Sequence, residues 1–354
     1  MNTKEETRRL WQLCFDDSED FVNLYFEHRF TESVNHYLEH DGRLVAALQA
    51  IPYDMTMGCR SLVPMAYVSG ACTHPDYRCQ GWMRRLLAQA HRSMYTQGRY
   101  FSTLIPAQEG LKAYYARSGY VSCFHRTVEK IVINRYERPV DNFSPVLTFS
   151  ELTGKELMED SPVYTFLNER WAAWPCCVLH DADDLQVICQ DLLLDGGGGL
   201  QVWENGCRAG VAFWVPDEEG GCRVKELVLA EGYHADNVLT QLGHYLQVDR
   251  VVGYHPAAGA GLESGMARVV AVEAALEHYA RLHPTYSGWV GVTGDDEILE
   301  NNGWYRLEAG NCHRLGQTGE GDKIPSGEGR CFTIPLLTDW LLEAYHPYLS
   351  LMLD

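Results

Sequence analysis

The sequence predicts an α+β chain built from two similar mixed-sheet units in tandem, followed by a smaller α/β unit. Three observations lead there. At 354 residues the chain is too long for one ordinary core, and two or three units are the natural division. An order of helices, antiparallel strands, a helix and a further strand fills the first third and begins again after about residue 140. Between these, Ala71-Cys72-Thr73-His74-Pro75-Asp76-Tyr77-Arg78-Cys79-Gln80-Gly81-Trp82-Met83-Arg84-Arg85 switches from a strand end to a helix start across a Pro- and Gly-bearing turn. A hydrophobic content of 46% with 11% aromatic residues describes a well-packed globular protein.

Taken in order, residues 4–40 read as helical. Leu10, Leu13, Cys14, Phe21, Leu24 and Tyr25 recur at three- and four-residue spacing, and Asp16-Asp17-Ser18 makes a break and cap. Asp41-Gly42 turns the chain into an apolar strand, and the stretch from Met57 to Thr73 supplies two more. After Gly81, the residues Met83, Leu86, Leu87, Ala90 and Met94 keep close to a 3.6-residue period, so an amphipathic helix runs to about Tyr95 and ends near Gly98. Tyr100 to Ala107 is a buried strand, and Glu109 to Arg117 a short helix closed by Gly119. Tyr136-Glu137-Arg138-Pro139 reads as a linker. Beyond it, Tyr164 to Trp174 is helical, and two strands meet at a hairpin at Glu204-Asn205-Gly206. A strand (Gly221–Glu231), a helix (His234–Gln247) and a strand (Asp249–Ala257) complete the second unit. Its Gly196–Gly199 run lacks a following Lys-Ser/Thr, so it reads as a turn rather than a phosphate loop.

The third part opens on a small-residue linker, 255–265, and a helix from Ala267 to Ala280. Strands follow, with a hairpin at Asn301-Asn302-Gly303, a glycine-rich loop over 316–329, a helix from Leu336 to Tyr345, and a tail broken by His346-Pro347. That tail carries Leu349, Leu351, Met352 and Leu353. Exposing each large apolar side chain forfeits roughly 1.5–3 kcal/mol, so the end of the chain is expected to be buried.

The chemistry concentrates in the strand–turn–helix stretch. A helix N-terminus aims free backbone N–H groups at one point, Gly81 removes a Cβ from the approach, and Arg78 and Arg84 stand beside it. This arrangement suits a pyrophosphate. The spacing Arg78-x-x-Gly81 resembles the acyl-CoA-binding motif of the GNAT family of N-acetyltransferases, with Met83 where that family has a small residue. The order of elements over residues 1–134 is also the GNAT order. A second signal is Tyr115, followed by Ala116-Arg117-Ser118-Gly119-Tyr120. The resemblance makes Tyr115 the general acid that protonates the departing CoA thiolate. The neighbouring Tyr114 lies about 100° round the helix. The plain structural reading of Tyr115 is a ring packed in the core.

The stretch Gly265–Glu277, then Asn301-Asn302-Gly303-Trp304-Tyr305-Arg306-Leu307 and Phe332 to Leu342 resemble a sterol-carrier-type C-terminal domain. A tandem GNAT pair with such a domain is the plan of the enhanced intracellular survival (Eis) family of acetyltransferases. The resemblance implies a catalytic, acetyl-CoA-binding GNAT domain at 1–136, a second GNAT-like domain without the CoA motif at 137–262, and a sterol-carrier-like domain at 263–354. It also implies acetyl transfer from acetyl-CoA to a primary amine of a cationic acceptor (aminoglycoside-, polyamine- or peptide-like). Ala71, Cys72 and Thr73 would run beside the pantetheine arm. Arg78, Cys79, Gln80, Gly81, Trp82, Met83 and Arg84 would hold the pyrophosphate, with Gln108 and Glu109 as a further cofactor-lining pair. The terminal carboxylate, on Asp354, would be the base, and the protein a homo-oligomer, a hexamer in the family's pattern. The competing reading is a non-catalytic protein that binds CoA, or an apolar ligand in its third part.

Charge and cysteines set the outer limits. The net charge is −19, but residues 1–134 hold 15 Lys/Arg against 14 Asp/Glu, while the remainder holds 14 against 34. The part with the phosphate motif is spared the negative charge. A nucleic-acid partner is not expected. The 12 cysteines include no Cys-x-x-Cys pair, and the 14 histidines no His-Glu-x-x-His, so neither a disulfide framework nor a metal site is expected. With no signal-peptide apolar core and no membrane-length apolar run, the expected setting is cytoplasmic.

Overall fold

The computed structural model describes residues 2–58, 60–134, 146–256, 261–315 and 329–353. Its first elements are α1 (Thr3–Cys14), α2 (Glu19–His28), β1 (Asn35–His40), β2 (Arg43–Thr56), β3 (Leu62–Thr73), α3 (Trp82–Thr96), β4 (Phe101–Leu104), α4 (Glu109–Ala116) and β5 (Val121–Val132). The middle contains β6 (Thr148–Leu152), α5 (Pro162–Ala172), β7 (Val178–Leu179), α6 (Ala182–Leu194), β8 (Gly198–Glu204), β9 (Cys207–Pro216), β10 (Cys222–Leu229), α7 (Ala235–Leu246) and β11 (Arg250–Pro256). The last part holds β12 (Leu262–Val269), α8 (Val272–Leu282), β13 (Gly288–Val292), β14 (Gly303–Glu308), β15 (Asn311–Leu315), β16 (Gly329–Phe332) and α9 (Ile334–Leu342).

Local chemistry explains most boundaries. Asn2 and Ser18 accept backbone N–H groups at the starts of α1 and α2. Asp41 and Gly42, both at positive φ, close the β1–β2 hairpin, and Asn205 and Gly206 do the same for β8–β9. The helical expectation for residues 4–40 ends early, because Asn35–His40 is a strand paired with β2.

Twelve described strands form one mixed sheet in the order β1-β2-β3-β4-β12-β5-β11-β10-β9-β8-β6, with β7 pairing β2. The expected repetition is visible in its two parallel pairs, β3–β4 crossed by α3 and β10–β11 crossed by α7. The two halves do not form separate sheets. They fuse where β5 and β11 run antiparallel, from Val132↔Arg250 to Arg126↔Pro256.

The stretch expected as linker and helix start is a strand instead. β12 inserts between β4 and β5, antiparallel to both. Met266, Ala267, Arg268, Val269 and Val270 are all buried, and a short apolar run covered on both faces carries no period that separates strand from helix. The helix follows only at Val272. The four remaining strands make a small sheet, β15-β14-β13-β16. The connection at Asn301-Asn302-Gly303 is longer than the expected tight hairpin and includes a 3-10 turn, Leu299–Asn301. The glycine-rich loop lies outside the described residues except for Gly329.

Helices α3 and α4 cover one face of the first half, where Leu86, Leu87, Ala90 and Tyr115 pack on Leu48, Val68 and Leu104. Helices α8 and α9 cover the other, with Leu276, Leu337 and Leu341 against Met65, Phe101 and Phe124. The tail is buried as expected on transfer grounds, Leu349, Leu351, Met352 and Leu353 each being at most 7% exposed. It lies where the halves meet. The His125 N–H donates to Pro347 O, the Tyr348 N–H to Cys176 O, and the Val178 N–H to Tyr348 O. The Tyr348 and Ser350 hydroxyls donate to the buried Glu226 carboxyl, which burial pushes towards its protonated form.

Candidate active site

The site begins with a gap in the sheet. β3 stays paired with β2 as far as Thr73, but it pairs with β4 only at Met65↔Phe101, Ala66↔Ser102 and Tyr67↔Thr103. From Val68 onward its β4-facing edge has no strand partner among the described residues. The β2–β3 register also shifts between Ala47↔Cys72 and Gln49↔Ser69, which bulges β3 at Gly70 and Ala71. Gly70 is required there. Its φ is +58°, and a Cβ would sit 2.0 Å from Trp11 Cζ3. Open edge and bulge together offer backbone donors to an extended ligand.

The chain then turns through His74–Tyr77 into α3. Cys79 and Gly81 both have positive φ, at 60° and 80°. Gly81 is the N-cap of α3, and no side chain caps it. The first intrahelical bond runs from Arg85 N–H to Gly81 O, so the preceding N–H groups of the turn remain available to an anion. A Cβ at Gly81 would meet nothing within 4 Å, so glycine is needed here for its conformation, not for space in the folded chain. Arg78 Nε donates to Thr73 O at 3.2 Å, tying the turn to the end of β3.

A cleft of about 710 Å³ joins these features. It is lined by Ala71, Cys72, Thr73, Arg78, Cys79, Gly81, Trp82, Met83, Arg84 and Tyr115 from the expected set. Gln80, whose amide donates to Asp76 O, is not in the lining, nor are Gln108 and Glu109 at the start of α4. Asp354 lies outside the described residues. Among the described residues, three arginines line the cleft (Arg78, Arg84, Arg117) and no carboxylate does. In a chain of charge −19 this is a selected field, matched to a polyanion.

Tyr115 sits on the inner face of α4, about 9% exposed, with its ring edge-on to Tyr114 and Tyr120. Its hydroxyl has no hydrogen-bond partner among the described residues. Burial pushes its pKa up to about 12, so it stays protonated and able to donate at working pH. Tyr114 also lines the cleft, half buried, with Arg84 and Arg117 opposing the upward push of burial on its hydroxyl.

Two cysteines form a pair that sequence reasoning did not find. Cys14, at the end of α1, and Cys72 both line the cleft. The hydrogen bond with Cys72 and the charge of Arg78 lower the Cys14 thiol to about 6, while the same bond and burial raise Cys72. Cys14 is thus the thiol that loses its proton more readily; its Sγ also lies 3.4 Å from Thr73 O. Nothing in the spacing of 14 and 72 announces this. Leu111, by contrast, lies one turn before Tyr115 on α4, and Ser118 follows just past the helix end.

Residues 2–123 match the acetyltransferase (GNAT) domain family. No curated protein is a significant match by sequence. Among solved structures, a conserved protein of unknown function from Enterococcus faecalis superposes with a TM-score of 0.72 at 15% identity, covering 95% of this chain and 86% of that one. A GCN5-related N-acetyltransferase from Anabaena variabilis gives 0.68 at 15% identity, covering 98% and 96%. Eis1 from Mycobacterium abscessus gives 0.68 at 14%, covering 96% and 87%. At these identities the structural matches show a shared fold over nearly the whole chain. The family match bears on the first part: residues 2–123 match the acetyltransferase (GNAT) domain, which supports an acyltransferase.

Proposed function

We propose that this protein transfers the acetyl group of acetyl-CoA to a primary amine by direct attack. The observation that carries the proposal is the single cleft that runs from an uncapped helix N-terminus flanked by three arginines, along the open edge of β3, to Tyr115. The pyrophosphate would lie on the Arg78–Arg84 turn and the pantetheine arm beside Ala71–Thr73. A β3 backbone N–H would polarise the thioester carbonyl. As the amine nitrogen bonds to that carbon, the C–S bond breaks and Tyr115 delivers its proton to sulfur. The nitrogen must also lose a proton. The Asp354 carboxylate is the candidate acceptor for it, supported by the burial of the tail through Leu353 and by the seating of Leu349 near the end of β4.

The test is a titration with acetyl-CoA followed by thiol release in the presence of primary amines. Binding, and CoA release in step with acetylated amine, is the expected result. Protein that binds no acetyl-CoA refutes the reading. Protein that binds it but acetylates no amine is a binding protein.

A further inference from the structure

A second cavity, of about 250 Å³, lies on the α8/α9 side of the sheet, where Ile105 and Leu349 pack in the same cluster. Its walls come from five strands or strand ends and the tail. Arg126 stands on β5, Arg223 and Lys225 two residues apart on one face of β10, Tyr254 on β11, and Ser264 on β12. The tail segment Tyr348–Met352 closes it.

The charge of this cavity is out of keeping with its surroundings. Residues 135–354 hold 14 Lys/Arg against 34 Asp/Glu, yet among the described residues no carboxylate lines it. Among the described residues none of Arg126, Arg223 and Lys225 has an ion-pair partner. The Arg126 guanidinium lies over the Tyr254 ring at 4.0 Å from its centre, and Arg126 Nε and Ser264 Oγ are buried without hydrogen-bond partners. Glu226, next to Lys225 in sequence, is taken up by Trp171, Tyr348 and Ser350 instead. Exposed Arg223 and half-buried Lys225 and Arg126 bring three cations to one wall, and the buried, unpartnered Arg126 Nε and Ser264 Oγ beside them make it a site for an anion, because buried polar groups left unpaired are costly.

Its position ties it to the reaction. Ile105 follows β4, two residues past Thr103, where the β3–β4 ladder ends and the gap for the thioester opens. An acceptor reaching that gap from the side opposite α3 passes this wall.

We propose that the cavity recognises an anionic group, a carboxylate or phosphate, carried by the amine acceptor. The acceptor is then an amine at one end and an anion at the other, not the polycation that the Eis resemblance implies. The cavity is too small for a whole acceptor and suits one headgroup. This inference rests on the acetyltransferase reading above.

The experiment uses the full chain and has two arms. In the first, inorganic phosphate and glutarate are titrated against the native protein and Arg223→Ala/Lys225→Ala, with acetyl-CoA affinity as the control. Millimolar or tighter binding of one anion, weakened roughly 10- to 100-fold in the variant at unchanged acetyl-CoA affinity, is expected, and its identity separates phosphate from carboxylate. Absence of binding of both to the native protein overturns the proposal. So does binding that appears only when Asp354 is deleted, since the cavity then holds the chain's own end. In the second arm, propylamine, β-alanine, phosphoethanolamine and 1,3-diaminopropane are compared as acceptors. An anionic amine is expected to show the highest kcat/KM, lowered through KM in the variant. Preference for propylamine or the diamine overturns the anion site while leaving the acetyltransferase intact; failure to bind acetyl-CoA at all strikes the underlying reading instead.

Discussion

Replacing Gly81 separates what the turn does for folding from what it does for the cofactor. The residue sits at φ 80°, with open space where a Cβ would project. Gly81→Ala therefore costs only backbone strain, about 1 kcal/mol, and no steric clash. Gly81→Glu adds a charge to the same strain. A carboxylate at the N-terminus of α3 gains about 0.3–1 kcal/mol from the helix dipole, so the unliganded variant should be about as stable as the alanine variant or slightly more so. The cofactor sees the opposite sign. At about 5 Å and an effective dielectric between 20 and 80, each phosphate charge is repelled by about 1–3 kcal/mol, which is roughly 5- to 150-fold in Kd per charge. Calorimetric titration with acetyl-CoA should thus show near-native affinity for Gly81→Ala and a collapse for Gly81→Glu. Pantetheine, which lacks the pyrophosphate, should bind both variants alike. Two results refute the reasoning: acetyl-CoA binding Gly81→Glu with native affinity, or pantetheine losing as much affinity as acetyl-CoA does.

Other outcomes follow from the same geometry. Tyr115→Phe should lower kcat by roughly a hundredfold with little change in acetyl-CoA Kd, because the hydroxyl acts only as sulfur departs; turnover within a few-fold of native makes Tyr115 a packing residue. Cys14, lowered to about 6, should be alkylated by iodoacetamide at a rate that rises through pH 6 and levels off above it. Peptide mapping should find acetyl-CoA protecting it, and a rate still climbing at pH 8 contradicts the lowered Cys14 thiol. Arg268→Ala should cost about 3–5 kcal/mol in urea unfolding, since it strips the buried Asp295 of its 2.7 Å ion pair and Ser118 O of its 2.8 Å donor. A loss below 1 kcal/mol contradicts that accounting.

How far the fold could be read depended on whether local chemistry decided the backbone. Where a cap, a turn dipeptide or a long helical period was present, the expected element appeared within a residue or two. Gly81 to about Tyr95 became α3, Glu109–Arg117 became α4, and Glu204-Asn205-Gly206 became the β8–β9 turn. Elements failed where tertiary pairing decided. Asn35–His40 carries polar residues and aromatics without a clear period, and only β2 beside it makes it a strand. β12 reads as the end of a small-residue linker and the start of a helix, yet the gap between β4 and β5 is filled by a strand there. Gly265 leaves room for Leu349, whose Cδ2 would stand 3.0 Å from a Cβ at that position. The small residue is a trace of packing across more than eighty positions, which no local pattern encodes.

The candidate site divides the same way, and the division says how the cleft works. Its phosphate end is contiguous in sequence, from Ala71 to Arg84, because one strand–turn–helix passage supplies both donors and charges. The end proposed as reactive draws on α1, β3 and α4, so Tyr115 stands out through register while Cys14 and Cys72 do not stand out at all. The cavity proposed for the acceptor draws on β5, β10, β11, β12 and the tail, where an acidic remainder holds three cations with no ion-pair partner among the described residues. The fused sheet accounts for that arrangement. Because β5 and β11 pair directly, the second half is not a bystander but brings Arg223 and Lys225 to the same cavity wall as Arg126. A second unit that lost, or never had, a phosphate turn of its own can still contribute to selectivity, provided its sheet continues the first.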